Sequence, residues 1–211
     1  MIINRIKWSI MGAALGFITL SGGCKKAELP PPVTGEPVLS FSGVFNNDTI
    51  NMAIGVASMS GYTSILDDSM NNVRTFVFSF GDYLNPAEPS LAFSFINYKA
   101  PFSSVNADLD STFTLGFVDI ATYFPPQSNP LQLNTFRLDY YDIQEQYTSQ
   151  ILFADTSYCR IDSTRDITWK DGNDYKMVYL SLSMTLRRTN TLDSTFFPLT
   201  QGKAVLAFPK E

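Results

Sequence analysis

Two stretches constrain the fold more than any other part of the chain. In Arg74–Phe80 the residues Phe76, Phe78 and Phe80 fall at every second position, and in Leu91–Tyr98 the residues Leu91, Phe93 and Phe95 do the same. A period of two places large apolar side chains on one face of an extended strand, an arrangement a helix cannot produce. The intervening Gly81–Ser90 holds Pro86 and Pro89. The pair is therefore expected to form half-buried strands around a loop, with those six side chains in the core.

The same signal continues along the chain. Val38–Phe45 and Thr49–Ile54 flank the polar Asn46-Asn47-Asp48 and predict a hairpin. Ser104–Asp110 is polar and has room for one helical turn, and Phe113–Val118 resumes extended structure. Thr135–Ile143, Gln150–Ala154 and Ser157–Ile161 read as strands. The turn Asp171–Asp174 leads into Tyr175–Leu186, where Val178, Leu180, Leu182, Met184 and Leu186 share a face, and Lys203–Pro209 supplies a last strand. Pro125–Pro130 is expected to be a long loop within one domain. Many short strands and no helical-period segment of useful length predict an all-β chain, a single antiparallel β-sandwich of about ten to twelve strands over 37–211.

The N-terminus has a different character. Met1–Lys7 carries Arg5 and Lys7 without an acid, Trp8–Leu20 has no charge, and Ser21-Gly22-Gly23 precedes Cys24. A basic start followed by a short apolar run predicts an export signal, since a membrane-spanning helix needs about 20 apolar residues. Lys25–Glu36, with Pro30-Pro31-Pro32, reads as an extended tether reaching up to roughly 37 Å. Small residues immediately before a cysteine resemble the lipobox of bacterial lipoproteins. That resemblance implies that 1–23 is removed, that Cys24 is lipidated, and that 24–36 links the domain to the lipid bilayer. Several acyl chains such as palmitate, at about 0.8 kcal/mol per buried methylene, anchor stably where one does not.

Composition narrows the chemistry. The chain has no histidine, which removes Ser-His-Asp and Cys-His catalysis and histidine-based zinc sites. Lys and Arg number 15 against 20 Asp and Glu, and losing Arg5 and Lys7 makes the chain more acidic still, so no nucleic-acid partner is expected. With Cys24 assigned to lipid, Cys159 stands alone, read as a buried small hydrophobe without a disulfide. Asp110-Ser111-Thr112, Asp162-Ser163-Thr164 and Asp193-Ser194-Thr195 share a composition that suits turns between strands. Asp67-Asp68, Asp108 with Asp110, and Asp171–Asp174 offer oxygen ligands but match no EF-hand loop, so no metal site and no cofactor is assigned. No catalytic residue is assigned either. Trp169, Tyr140 and Tyr141, aromatics in or near expected loops, are the candidate ligand contacts.

The run Pro37–Asn47 through Ile54-Gly55-Val56, behind Cys24-Lys25-Lys26 and the prolines, resembles lipoproteins common in the Bacteroidota. Ile96-Asn97-Tyr98-Lys99 and Asp108-Leu109-Asp110-Ser111 add to the resemblance, which covers roughly residues 20–120. Some relatives continue into a PKD-type module; Phe80-Gly81-Asp82 lacks its motif. The resemblance implies an outer-membrane, lipid-anchored location and carries over no catalytic residue. The function expected is non-catalytic binding of a glycan or an envelope protein. The alternatives are a structural or adhesive, fimbrillin-like subunit assembling through sheet edges, and a carboxylate-dependent glycoside hydrolase.

Overall fold

The computed structural model describes residues 38–55, 59–82, 88–121, 133–142, 145–150, 156–169, 171–189 and 195–211. Cys24, the segments 1–23 and 24–36, Pro125–Pro130 and Asp193-Ser194 lie outside them. By its contacts the chain divides into 1–36 and 37–211, and every described residue belongs to the second unit.

This second unit is all-β and sandwich-like, with one short helix. Its strands are β1 (Ser40–Phe45), β2 (Asp48–Ala53), β3 (Ser60–Asp68), β4 (Val73–Gly81) and β5 (Ser90–Tyr98), then helix α1 (Val105–Thr112). After the helix come β6 (Gly116–Ile120), β7 (Thr135–Asp142), β8 (Glu145–Gln150), β9 (Tyr158–Thr168), β10 (Asp174–Arg188) and β11 (Phe196–Pro209). All eleven belong to one sheet, ordered β2-β1-β11-β10-β9-β6-β7-β5-β4-β3, with β8 inserted between β10 and β7. Every pairing is antiparallel except β6 with β7, so the sheet is mixed.

The alternation in the sequence becomes the core. Phe76 pairs with Phe95, Phe78 with Phe93 and Phe80 with Leu91, and all six side chains are buried. The sheet curls so that this face meets β1 and β11: Phe41 packs on Phe93, and Phe208 packs on Phe76, Phe78 and Phe95. The five alternating residues of β10 are buried as well. Asn46 and Asn47 form the β1–β2 turn with φ of 48° and 72°, the left-handed pair that matches the twist of a two-residue hairpin.

Bulges give the long strands their bend. β11 carries one extra residue around Gln201 (φ 54°) against both neighbours, and β9 carries one at Asp162 against β10. The Asp162-Ser163-Thr164 expected between strands is thus a mid-strand bulge. Asp110-Ser111-Thr112 ends α1 and does not form a turn between strands.

Helix and sheet differ from the sequence reading at a few further points. α1 makes two turns because Ser104 caps it, accepting from the Ala107 N–H, and Phe113 ends it by donating its N–H to the Leu109 carbonyl. Phe113 therefore belongs to the helix end, stacked on Phe208 at 4.7 Å, and extended structure begins at Gly116. β7 and β10 diverge where β8 gives way to β9 and β6. Backbone groups that lose strand partners there find hydroxyls: Leu138 N–H donates to Ser149 Oγ (3.0 Å) and Thr185 N–H to Ser157 Oγ (3.1 Å).

Candidate functional site

Trp169 sits at the tip of the β9–β10 hairpin. Its N–H donates to the Asn173 carbonyl and its own carbonyl accepts from Gly172 N–H, closing a tight turn. Gly172 has φ 81°, which a side chain would strain. Asp171 Oδ1 accepts from Asn173 N–H at 2.9 Å, and Asp171 Oδ2 accepts from Asn173 Nδ2 (3.1 Å) and from the Tyr175 hydroxyl (2.9 Å). The Trp169 and Tyr175 rings meet edge to face at 5.1 Å. The turn thus holds an aromatic corner rigid.

That corner overhangs a cleft of about 530 Å³ where the curled sheet nearly meets itself. Leu39, Ile54, Gly61, Phe78, Ala207 and Pro209 line the rest of it. Across this seam the Thr63 hydroxyl donates to the Ala207 carbonyl at 3.0 Å, a single side-chain bond where a closed barrel would have a strand ladder. The seam is therefore an opening that hydrocarbon and ring surfaces line. Of its polar side-chain groups, the Thr63 hydroxyl, the Asp171 carboxylate and the Tyr175 hydroxyl are engaged within the protein.

The electrostatics of the corner are fixed rather than titratable. Hydrogen bonds from the Asn173 N–H and amide hold Asp171 below the usual carboxylate range, with Tyr175 adding to them. The same contact with Asp171, helped by burial, pushes the Tyr175 hydroxyl up. At neutral pH the pair is a carboxylate receiving a phenol proton donor, with neither group poised to exchange its proton.

Tyr140 and Tyr141 lie elsewhere. Tyr140 is buried, edge-on to Phe45 at 5.0 Å and stacked with Tyr147 at 6.0 Å, and burial pushes its hydroxyl up to about 12. Tyr141 is 41 % exposed and accepts from Gln146 Nε2. Their cluster includes Phe197, at the start of β11, whereas Tyr175 pairs with Pro209 at its end. Twelve residues of strand, roughly 40 Å at 3.3 Å each, separate the two regions. The structure does not bring Trp169 together with either tyrosine.

The acidic groups singled out in the sequence are ion-paired or locally bonded. Arg74 Nη1 meets Asp108 at 2.8 Å and Arg74 Nε meets Asp67 at 2.7 Å, and Lys99 reaches Asp67 at 2.6 Å. Lys176 bridges Asp110 and Asp166. Among the described residues no group of three or more acidic or cysteine side chains is placed to hold a metal, and no helix is long and apolar enough to cross a membrane. Cys159 is fully buried, and burial pushes its thiol up, away from the reactive thiolate.

Fold and cleft together define an all-β protein with an aromatic-walled opening at the seam of one curled sheet. No protein-family model, no curated protein and no solved structure matches the chain.

Proposed function

We propose that the chain is an outer-membrane-anchored lipoprotein whose β domain works by binding, taking an apolar group of an envelope protein into the Trp169 cleft. The observation that carries this reading is the composition of the cleft. Its surface is mostly aliphatic and aromatic, and the Thr63, Asp171 and Tyr175 side chains it holds are already bonded inside the protein. A sugar placed there would find few protein partners for the water its hydroxyls lose, whereas a leucine or phenylalanine side chain would bury area at about 25 cal/mol per Å². Glycoside hydrolysis needs two facing carboxylates, and Asp171 is the single carboxylate among the lining residues. The anchor rests on the signal-like Met1–Gly23 and on Cys24.

Two measurements test the reading. Cys24→Ala is expected to abolish incorporation of an alkyne fatty acid; continued labelling of that variant refutes the anchor. A photoreactive phenylalanine analogue at Tyr175 is expected to crosslink to an envelope protein in cells. Trp169→Ala should weaken that complex by about 2 kcal/mol, roughly thirty-fold in affinity, because buried aromatics carry most of an interface's energy. Crosslinks that persist unchanged in Trp169→Ala place the partner elsewhere.

A second reading, the structural subunit, draws on the two strands that end the sheet. Among the described residues β2 and β3 each have one strand neighbour, which leaves a template for strand addition. Both edges carry acids, Asp48 on β2 and Asp67-Asp68 on β3, which discourages edge-to-edge growth. Ladders resistant to detergent on an unheated gel would favour this reading over the first.

A further inference from the structure

We propose that a second pocket, between the end of α1 and strand β6, binds one ring of a neutral glycan. It goes beyond the binding reading above and does not depend on the Trp169 cleft. Asn97, Thr112, Thr114, Phe117, Asp119 and Asn134 line a hollow of about 270 Å³.

The chain builds this pocket by a forced change of direction. After α1, Phe113 turns into the core, and Gly116 at φ 126° starts β6 in a conformation that side chains rarely adopt. Alternation then sends Val118 and Ile120 inward and leaves Phe117 and Asp119 on the outer face. Phe117 is 75 % exposed, touching the Tyr158 ring by an edge at 6.1 Å, with the exposed Leu115 beside it. An apolar patch left in water next to a polar hollow is unexpected for a strand that has only to pack.

The polar groups around Phe117 are of the kind that recognises hydroxyls. Asn97 is fixed, with its amide donating to Thr112 Oγ1 and its carbonyl accepting from Tyr98 N–H. That leaves one amide hydrogen of Asn97 and the Thr112 hydroxyl proton to offer. Among the described residues the side chains of Thr114, Asp119 and Asn134 make no hydrogen bond or ion pair, so they add free donors and acceptors. Phe117 and Asp119, two apart on one strand, stand roughly 7 Å from each other. That spacing lets a pyranose lay its C–H face on the ring while two adjacent edge hydroxyls donate to the carboxylate.

Charge decides between sugars. The lining holds one carboxylate and no lysine or arginine, and Arg160, opposite Phe117 in the ladder, is already paired with Asp162, so an acidic sugar or a phosphate meets repulsion and a neutral ring does not. The hollow is also about half the size of the seam cleft and polar where that cleft is apolar, so the two sites select different chemistries.

The test uses the full chain and saturation-transfer NMR with the methyl glycosides of glucose, galactose, mannose and N-acetylglucosamine, with glycerol and sialic acid as controls. At least one neutral glycoside is expected to bind, with sialic acid giving no more than the glycerol signal. Phe117→Ala and Asp119→Asn should each weaken binding at least about tenfold, whereas Phe117→Tyr and Trp169→Ala should leave it unchanged. Both substituted positions are exposed, so melting temperatures should match the parent. Absence of binding by all four glycosides overturns the proposal. So does binding that survives both pocket variants, or that is lost in Trp169→Ala.

Discussion

Phe208→Ala lowers the unfolding free energy by about 3–5 kcal/mol, the largest loss expected from any single core truncation in this chain. The reason lies in what the ring touches. Phe208 is fully buried and meets Phe76, Phe78 and Phe95 from the facing strands and Phe113 from the end of α1, at 4.7–6.2 Å between ring centres. Four rings fixed on β4, β5 and α1 cannot all move into the space left behind, so most of the cavity persists. For a domain of this size the expected fall in melting temperature is on the order of 10 °C. Denaturant melts measure it directly, and Phe208→Leu serves as the control that keeps most of the volume. A loss under about 1 kcal/mol for the alanine variant means that the two faces of the curled sheet do not meet at Phe208.

Arg74→Met is expected to cost a similar amount, about 3–5 kcal/mol, for an electrostatic reason. The Arg74 side chain is 5 % exposed and Asp108 6 %, and the guanidinium links Asp108 to Asp67. Removing it leaves Asp108 a buried charge with the Ser103 hydroxyl as its remaining side-chain donor among the described residues. Asp67→Asn should cost far less, since Asp67 is 39 % exposed and solvent screens its pairs. Converting both Arg74 and Asp108 to apolar residues should recover much of the loss.

The pH dependence of that effect has a definite sign. The Arg74 bond, together with Lys99 and against a smaller burial penalty, holds Asp67 well below its ordinary range. A carboxylate depressed by folding adds stability that is complete above its unfolded pKa, near 4, and is lost as pH falls below that toward the folded value. Parent and Arg74→Met should therefore differ most at pH 5–7 and converge as pH drops under about 4. A difference that widens on acidification contradicts the pairing.

What the sequence made legible depends on where side chains point. β4, β5 and β10 were readable because one face of each is buried and the other is not, so apolar residues alternate with polar ones. The β1–β2 hairpin was readable from Asn46-Asn47. β3 escaped notice because Ser60–Asp68 is an edge strand with mostly half-exposed or exposed residues, which gives no apolar period. β8 escaped for a related reason: its buried Thr148 and Ser149 are polar, and Ser149 accepts from the Leu138 N–H where β7 and β10 part. Missing β8 also made Tyr140, near the end of the expected strand Thr135–Ile143, look like an exposed aromatic beside a loop, when pairing with β8 covers it. β9 was cut short at Ile161 because the bulge at Asp162 interrupts its alternation.

The candidate site was half visible. Trp169 stands beside a turn, and aromatics beside turns are natural ligand contacts. Leu39, Ile54 and Gly61 line the same cleft from far away in sequence: the β1–β11 ladder brings Leu39 and its partner Ile54 there, and the curl of the sheet brings Gly61. Nothing in their local pattern marks them. Phe117 is the converse case, an apolar residue in an alternating strand whose outward placement depends on Gly116 and on the bridging position of β6.

The pairing of β1 with β11 has a further consequence, for the order of events in folding. Ser40 lies opposite Val205, so the first strand of the domain is completed by the last. Until β11 exists, β1 has β2 alone beside it, and Phe76 and Phe95 lack the Phe208 ring they later pack against. Contacts this distant along the chain are costly to close and place such topologies among the slow folders, in milliseconds to seconds. The domain is thus built to assemble late and all at once, when its final fourteen-residue strand arrives to join the two halves of the sheet.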